Sequence, residues 1–155
     1  MRARRQFLAG LATAGLAALA GCTNLGLGGG GGGVACSSRG SIPKPGPIGM
    51  VRAMADGSRV LFVVAVKSEA VENEAVVRLG VFDQEDGLVT DVPVMDNREE
   101  NDLTVTGLDP GMVPYAIDLG RAPVHGWYRV VAYDGEGAVV GEAVEKFNCF
   151  VGGTV

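Results

Sequence analysis

Three Asp-Gly dipeptides, at 56–57, 86–87 and 134–135, each stand between two apolar runs, and this recurrence constrains the fold more than any other feature of the chain. A tight chain reversal needs a residue with positive φ, which glycine adopts without the Cβ clash that other residues meet. Asp-Gly flanked by apolar runs is therefore a strong hairpin signal. The spacing predicts one hairpin from residues 48–55 and 59–67, a second from 76–82 and 88–94, and a third from 127–133 and 138–147. Three hairpins commit the chain to antiparallel sheets.

The run 60–66 is apolar at every position and is predicted to lie at the centre of a sheet, covered on both faces. Two further strands are predicted at 103–106 and 115–119, and a single turn of helix at 70–74. The expected fold class is all-β, an antiparallel β-sandwich of about seven strands, because strands with one apolar face bury it most simply against a second sheet. A small antiparallel barrel is the alternative. The folded unit is predicted over 42–155, long enough for one core.

The segment Gly126, Trp127, Tyr128, Arg129, Val130, Val131, Ala132, Tyr133, Asp134 resembles the penultimate strand of immunoglobulin-like and fibronectin-type sandwiches. The resemblance implies a tyrosine corner at Tyr128. It also implies an inward face of Tyr128, Val130 and Ala132. Trp127, Arg129, Val131 and Tyr133 then share the outward face, since side chains alternate along a strand. Trp, Tyr and Arg are enriched in interface hot spots. Trp127, Arg129 and Tyr133 are therefore the candidate partner-binding patch, with a loop covering this face, or burial of Trp127 in the core, as the alternatives. The Cys–Trp–Cys arrangement of antibody domains is missing, because Cys36 and Cys149 sit at the ends of the domain.

The first 21 residues have a different character. Arg2, Arg4 and Arg5 precede an apolar, alanine- and glycine-rich stretch over 7–20, and no acid occurs before Asp56. That stretch is shorter than the roughly 20 residues a membrane-spanning helix needs, and fits a secretory leader. Arg4, Arg5, Phe7 and Leu8 resemble a twin-arginine export signal, and Leu19, Ala20, Gly21 and Cys22 resemble a lipobox. Together they resemble the leaders of lipoproteins from halophilic archaea. The resemblance implies cleavage before Cys22, lipid on its sulfur, and export to the outer face of the cytoplasmic membrane. A general secretory signal without lipidation is the alternative. Residues 1–21 are thus assigned to the leader and 22–41 to a lipidated cysteine and glycine-rich linker. About 14 residues of flexible coil between Cys22 and Cys36 would reach roughly 20 Å.

With Cys22 assigned to lipid by that resemblance, Cys36 and Cys149 remain as an even pair in an exported chain, and a disulfide between them is expected. Closing so long a loop stabilises by about 4–5 kcal/mol in the chain-entropy model. Two unrelated thiols are the alternative.

Composition narrows the function classes. The chain holds 13 basic and 18 acidic residues; without the three leader arginines, 10 bases remain, for a formal charge of −8. Such a balance argues against nucleic acid as a ligand, which selects basic patches. The one histidine, His125, falls in a predicted turn, and the five serines have no nucleophile-elbow context. No histidine pair or Cys-x-x-Cys offers a zinc or copper site. Two acidic stretches, 83–86 and 96–102, offer oxygen ligands for calcium without the regular EF-hand spacing, and solvated loops explain both. No cofactor, metal or catalytic residue is expected. The chain is expected to be a non-enzymatic, lipid-anchored domain that binds or supports another cell-envelope protein. An accessory lipoprotein binding a small molecule or carbohydrate is the alternative.

Overall fold

The computed structural model describes residues 33–38, 43–95 and 105–152. Along the chain run β1 (Val34–Ser38), β2 (Ile48–Asp56), β3 (Arg59–Lys67), the short α1 (Ser68–Glu72), β4 (Arg78–Phe82), β5 (Leu88–Pro93), β6 (Met112–Arg121), β7 (Val124–Tyr133) and β8 (Val139–Val151). They form a β-sandwich of two antiparallel sheets. One has five strands in the order β1-β8-β7-β4-β5, the other three in the order β2-β3-β6. The three predicted hairpins are β2–β3, β4–β5 and β7–β8, and each pairs as expected.

The turns solve their reversals in two ways. Asp56 pairs with Arg59, so Gly57 and Ser58 make a two-residue loop, with Gly57 at φ +57°. The other two hairpins use three-residue loops and share one device. Asp83 Oδ1 accepts hydrogen bonds from the backbone N–H of Glu85 (3.0 Å) and Gly87 (2.7 Å). Asp134 Oδ1 does the same for Glu136 (2.9 Å) and Ala138 (2.8 Å). The left-handed residue comes third in each loop, at Asp86 (φ 61°) and Gly137 (φ 82°), and not at Gly87 or Gly135. This is the type I turn with a bulge that three-residue hairpins favour.

Between the sheets, Phe62, Val64 and Val66 of β3 meet Leu79 and Val81 of β4, Val130 and Ala132 of β7 and Phe147 of β8. Phe62, Tyr128 and Phe147 form an aromatic cluster with ring centroids 5.4–5.8 Å apart. β3 is central in its sheet and buried along most of its length on both faces, as its unbroken apolar run predicts.

Four expectations need correction. Val34–Ser38, assigned to the linker, is a strand that pairs with β8 from Val34↔Val151 to Ser38↔Phe147. The domain therefore begins before residue 42. Of the strand expected over 103–106, Val105 is buried but precedes a turn, and the rest lies outside the described residues. The helical turn expected at 70–74 is α1, which starts earlier, at Ser68. Tyr128 points into the core as expected, but its hydroxyl makes no hydrogen bond with a described residue, as a tyrosine corner requires. Its ring is held by Phe62 and Phe147 instead. Cys36 and Cys149 face each other across β1 and β8 and are joined by a disulfide.

Candidate functional site

The candidate patch lies on β7, whose alternation is as the sequence predicts. Val130 and Ala132 are buried in the core and Tyr128 packs against it, while Trp127, Arg129, Val131 and Tyr133 occupy the outer side of the five-stranded sheet. The register sets their neighbours. One row across the sheet reads Leu88, Phe82, Arg129, Val144 from β5 to β8. Another reads Pro93, Arg78, Tyr133, Val139, with Gly80 and Val131 side by side between the two.

Two arginines are laid flat on this face by their cross-strand partners. The Arg78 guanidinium lies 4.0 Å from the centroid of the Tyr133 ring, and Arg129 lies 4.8 Å from that of Phe82. Each also meets a carboxylate, Arg78 with Asp91 and Arg129 with Asp86, both at 3.0 Å. A cation over an aromatic face contributes about 0.5–1 kcal/mol at exposed sites, and an exposed ion pair less than about 1 kcal/mol. The gain in position exceeds the gain in energy. Both side chains are held against the sheet instead of sweeping through solvent.

Gly80 makes this packing possible. A Cβ there would lie 2.9 Å from the Phe82 ring and 3.2 Å from that of Tyr133. The two rings converge over the glycine, a cross-strand device that shields backbone which a side chain would otherwise cover. Val131 beside it is only 2% exposed, although it faces away from the core. Leu88 (57%) and Val144 (37%) remain open at the two ends of their row. The result is a flat plate, apolar in its body and fringed by fixed guanidinium and carboxylate groups.

At one end of the plate, the β4–β5 loop closes a cavity of about 130 Å³ lined by Asp83, Gln84, Glu85, His125, Trp127 and Tyr128. Burial, reinforced by the nearby carboxylates of Asp83 and Glu85, pushes the Tyr128 hydroxyl above its ordinary pKa. The cavity is smaller than the roughly 300–1,000 Å³ of sites that enclose a small molecule. A larger hollow among the described residues, about 390 Å³, opens against Pro47, Lys67 and Asn73, none of them aromatic. Asp83 and Asp86, weighed as calcium ligands, are engaged in the turn and with Arg129. The second acidic stretch, 96–102, lies outside the described residues. Among the described residues, no three His, Cys, Asp or Glu side chains gather as a metal site.

No known family, no curated protein and no solved structure matches this chain. The site therefore stands on its own geometry. Of the residues expected to matter, Trp127, Arg129 and Tyr133 share one face and Cys36 and Cys149 are bonded. Arg4, Arg5, Phe7, Leu8, Leu19, Ala20, Gly21 and Cys22 lie outside the described residues. Sequence reasoning missed Arg78, Gly80 and Phe82, which build half of the face. Their pairing with β7 joins segments some 50 residues apart, and nothing local announces it. The available signal was the alternation of β4 itself, with Leu79 and Val81 apolar and Arg78 and Gly80 opposite.

Proposed function

We propose that this chain is a non-enzymatic lipoprotein, exported by its twin-arginine leader and held by lipid on Cys22. In this reading its β-sandwich binds or supports another cell-envelope protein through the outer side of the five-stranded sheet. The observation that carries the docking role is the plate formed by Trp127, Phe82, Val144 and Leu88 around two arginines fixed over aromatic rings. Arginines already immobilised lose little side-chain entropy when a partner covers them, and their free N–H groups remain available to its carbonyls and carboxylates. The immunoglobulin-like reading is supported by the strand order. β2-β3-β6 corresponds to strands A, B and E, and β8-β7-β4-β5 to G, F, C and C′, with β1 added beside G.

The carbohydrate-binding alternative is less well supported, since sugars stack on open aromatic faces and the Phe82 and Tyr133 rings are each capped by a guanidinium.

The anchoring is tested by mass spectrometry of the membrane-bound protein and of a Cys22→Ala variant. A lipid-modified N-terminal cysteine, and release of the variant into the soluble fraction, are expected. An unmodified Cys22 would refute the anchor. Docking is tested by placing a photo-crosslinking side chain at Val144 in intact cells, with one at Arg52 of β2 as control. A discrete adduct from position 144 alone is expected. Equal labelling from both positions, or none, would exclude the face.

A further inference from the structure

The disulfide holds one strand, and that strand is unlike the others. β1 is one of the two edge strands of its sheet, five residues long, and has a ladder with β8 only; unlike β5 at the other edge, it is not joined to its partner by a hairpin. From it, Val34 and Cys36 alone reach the core, and both stay half-buried. The buried cluster is otherwise built from β2 to β8 and the residues between them, and β8 keeps its full ladder with β7 whether or not β1 is present. Three further hydrogen bonds tie β1 and its entry point down: Ser37 Oγ to the Asn148 carbonyl, Ser38 Oγ to the carboxylate of the fully buried Glu145, and Gly152 N–H to Gly33 O. Its ladder is with β8 and not with β2, the next described strand of the chain, which lies in the other sheet, so no hairpin between described strands holds it in register. Ordering five such residues costs backbone entropy that two half-buried side chains and an exposed edge ladder barely offset.

We propose that the Cys36–Cys149 bond is a redox latch on β1 alone. With both thiols reduced, β2 to β8 keep their fold while β1 comes away and opens the edge of β8. Oxidation docks β1 and fixes where the N-terminal segment leaves the domain. Forming the bond removes two protons and two electrons from the thiols, and a disulfide oxidant of the glutathione or thiol–disulfide oxidoreductase class accepts them. The Cys36 thiolate, on the free strand, attacks the oxidant and forms a mixed disulfide. The Cys149 thiolate then attacks Cys36 Sγ as the strand docks, and the second thiol of the oxidant leaves. The order follows from access: Cys149 is fully buried once β1 is in place, whereas Cys36 rides on the part that moves. This inference rests on the strand geometry and is independent of the docking face.

Hydrogen exchange resolved by mass spectrometry tests it on the full chain, oxidised, reduced with a phosphine, and as the Cys36→Ser, Cys149→Ser double variant. On reduction, protection over residues 34–38 is expected to fall by about a hundred- to a thousandfold, the scale of losing a long-loop cross-link. The amides of β3 and of β7 facing β4 should keep theirs. Unchanged protection over 34–38 in the reduced chain would refute the latch. So would loss of protection throughout β3 and β7 in the reduced wild-type chain, which would make the bond a support of the whole fold. The reduced wild-type chain decides the matter if the double variant fails to fold.

Discussion

At the scale of single residues, aspartate does most of the shaping. Asp83 and Asp134 each gather two backbone N–H groups and so set the same loop in two hairpins. Position 137 needs left-handed backbone, with φ at 82°. Gly137→Ala should therefore lower the unfolding free energy by about 1 kcal/mol in urea titrations. Asp86 sits in the same conformation at its own loop, at φ 61°, and Asp86→Gly should cost little, since relief of the backbone offsets the lost exposed pair with Arg129. Two titrations frame the pH range. Hydrogen bonds from Arg59 and from the Gly120 N–H hold the Asp118 carboxyl below the usual carboxylate range. Its stabilisation is present above the ordinary value of 3.8 and is lost as pH falls through the lower folded value. Tyr128 has the opposite sign. Burial keeps its hydroxyl protonated in the fold, so its contribution is intact below pH 10.0 and is lost as pH rises through the higher folded value. Thermal scans of wild type and Tyr128→Phe should diverge above pH 10 and run parallel below it.

At the scale of elements, the strands that the sequence declares are those whose turns and apolar runs coincide. The β2–β3, β4–β5 and β7–β8 hairpins were legible because each reversal is encoded within a few residues of the strands it joins. The inward and outward sides of β7 were legible as well, because alternation needs no knowledge of neighbours. What lay beyond reach were pairings between distant segments. β1 is a run of small and polar residues after a glycine tract, and its strand character comes from β8 beside it. The expected disulfide carried that information unnoticed, since a bond from Cys36 to a strand places the neighbours of Cys36 along it. The same limit hid the role of β4 in the candidate face. There, mutual support is measurable. A double-mutant cycle on Arg78→Met and Tyr133→Leu should yield a coupling of about 0.5–1 kcal/mol. A coupling indistinguishable from zero would show that the two side chains pack without assisting one another.

At the scale of the whole molecule, the excess of acids opposes compaction. Ten bases against 18 acids leave residues 22–155 at −8, and among the described residues Glu145 is the one charged side chain that is buried. Added salt shortens the range of that repulsion to about 3 Å at 1 M. The melting temperature at neutral pH should climb by several degrees between 0.05 and 1 M potassium chloride, and a flat response would mean that exposed pairs such as Arg59–Asp118 lose as much as the repulsion releases. One more property follows from the hydrogen bond between Gly152 N–H and Gly33 O, 2.8 Å long. The two ends of the folded unit meet at one corner of the sandwich. A domain with touching ends can be spliced as a cassette into a surface loop of an unrelated host protein without prying the host open. Its ends could equally be joined by a few glycines and new ones cut at the tip of the β7–β8 turn, giving a permuted chain with the same core.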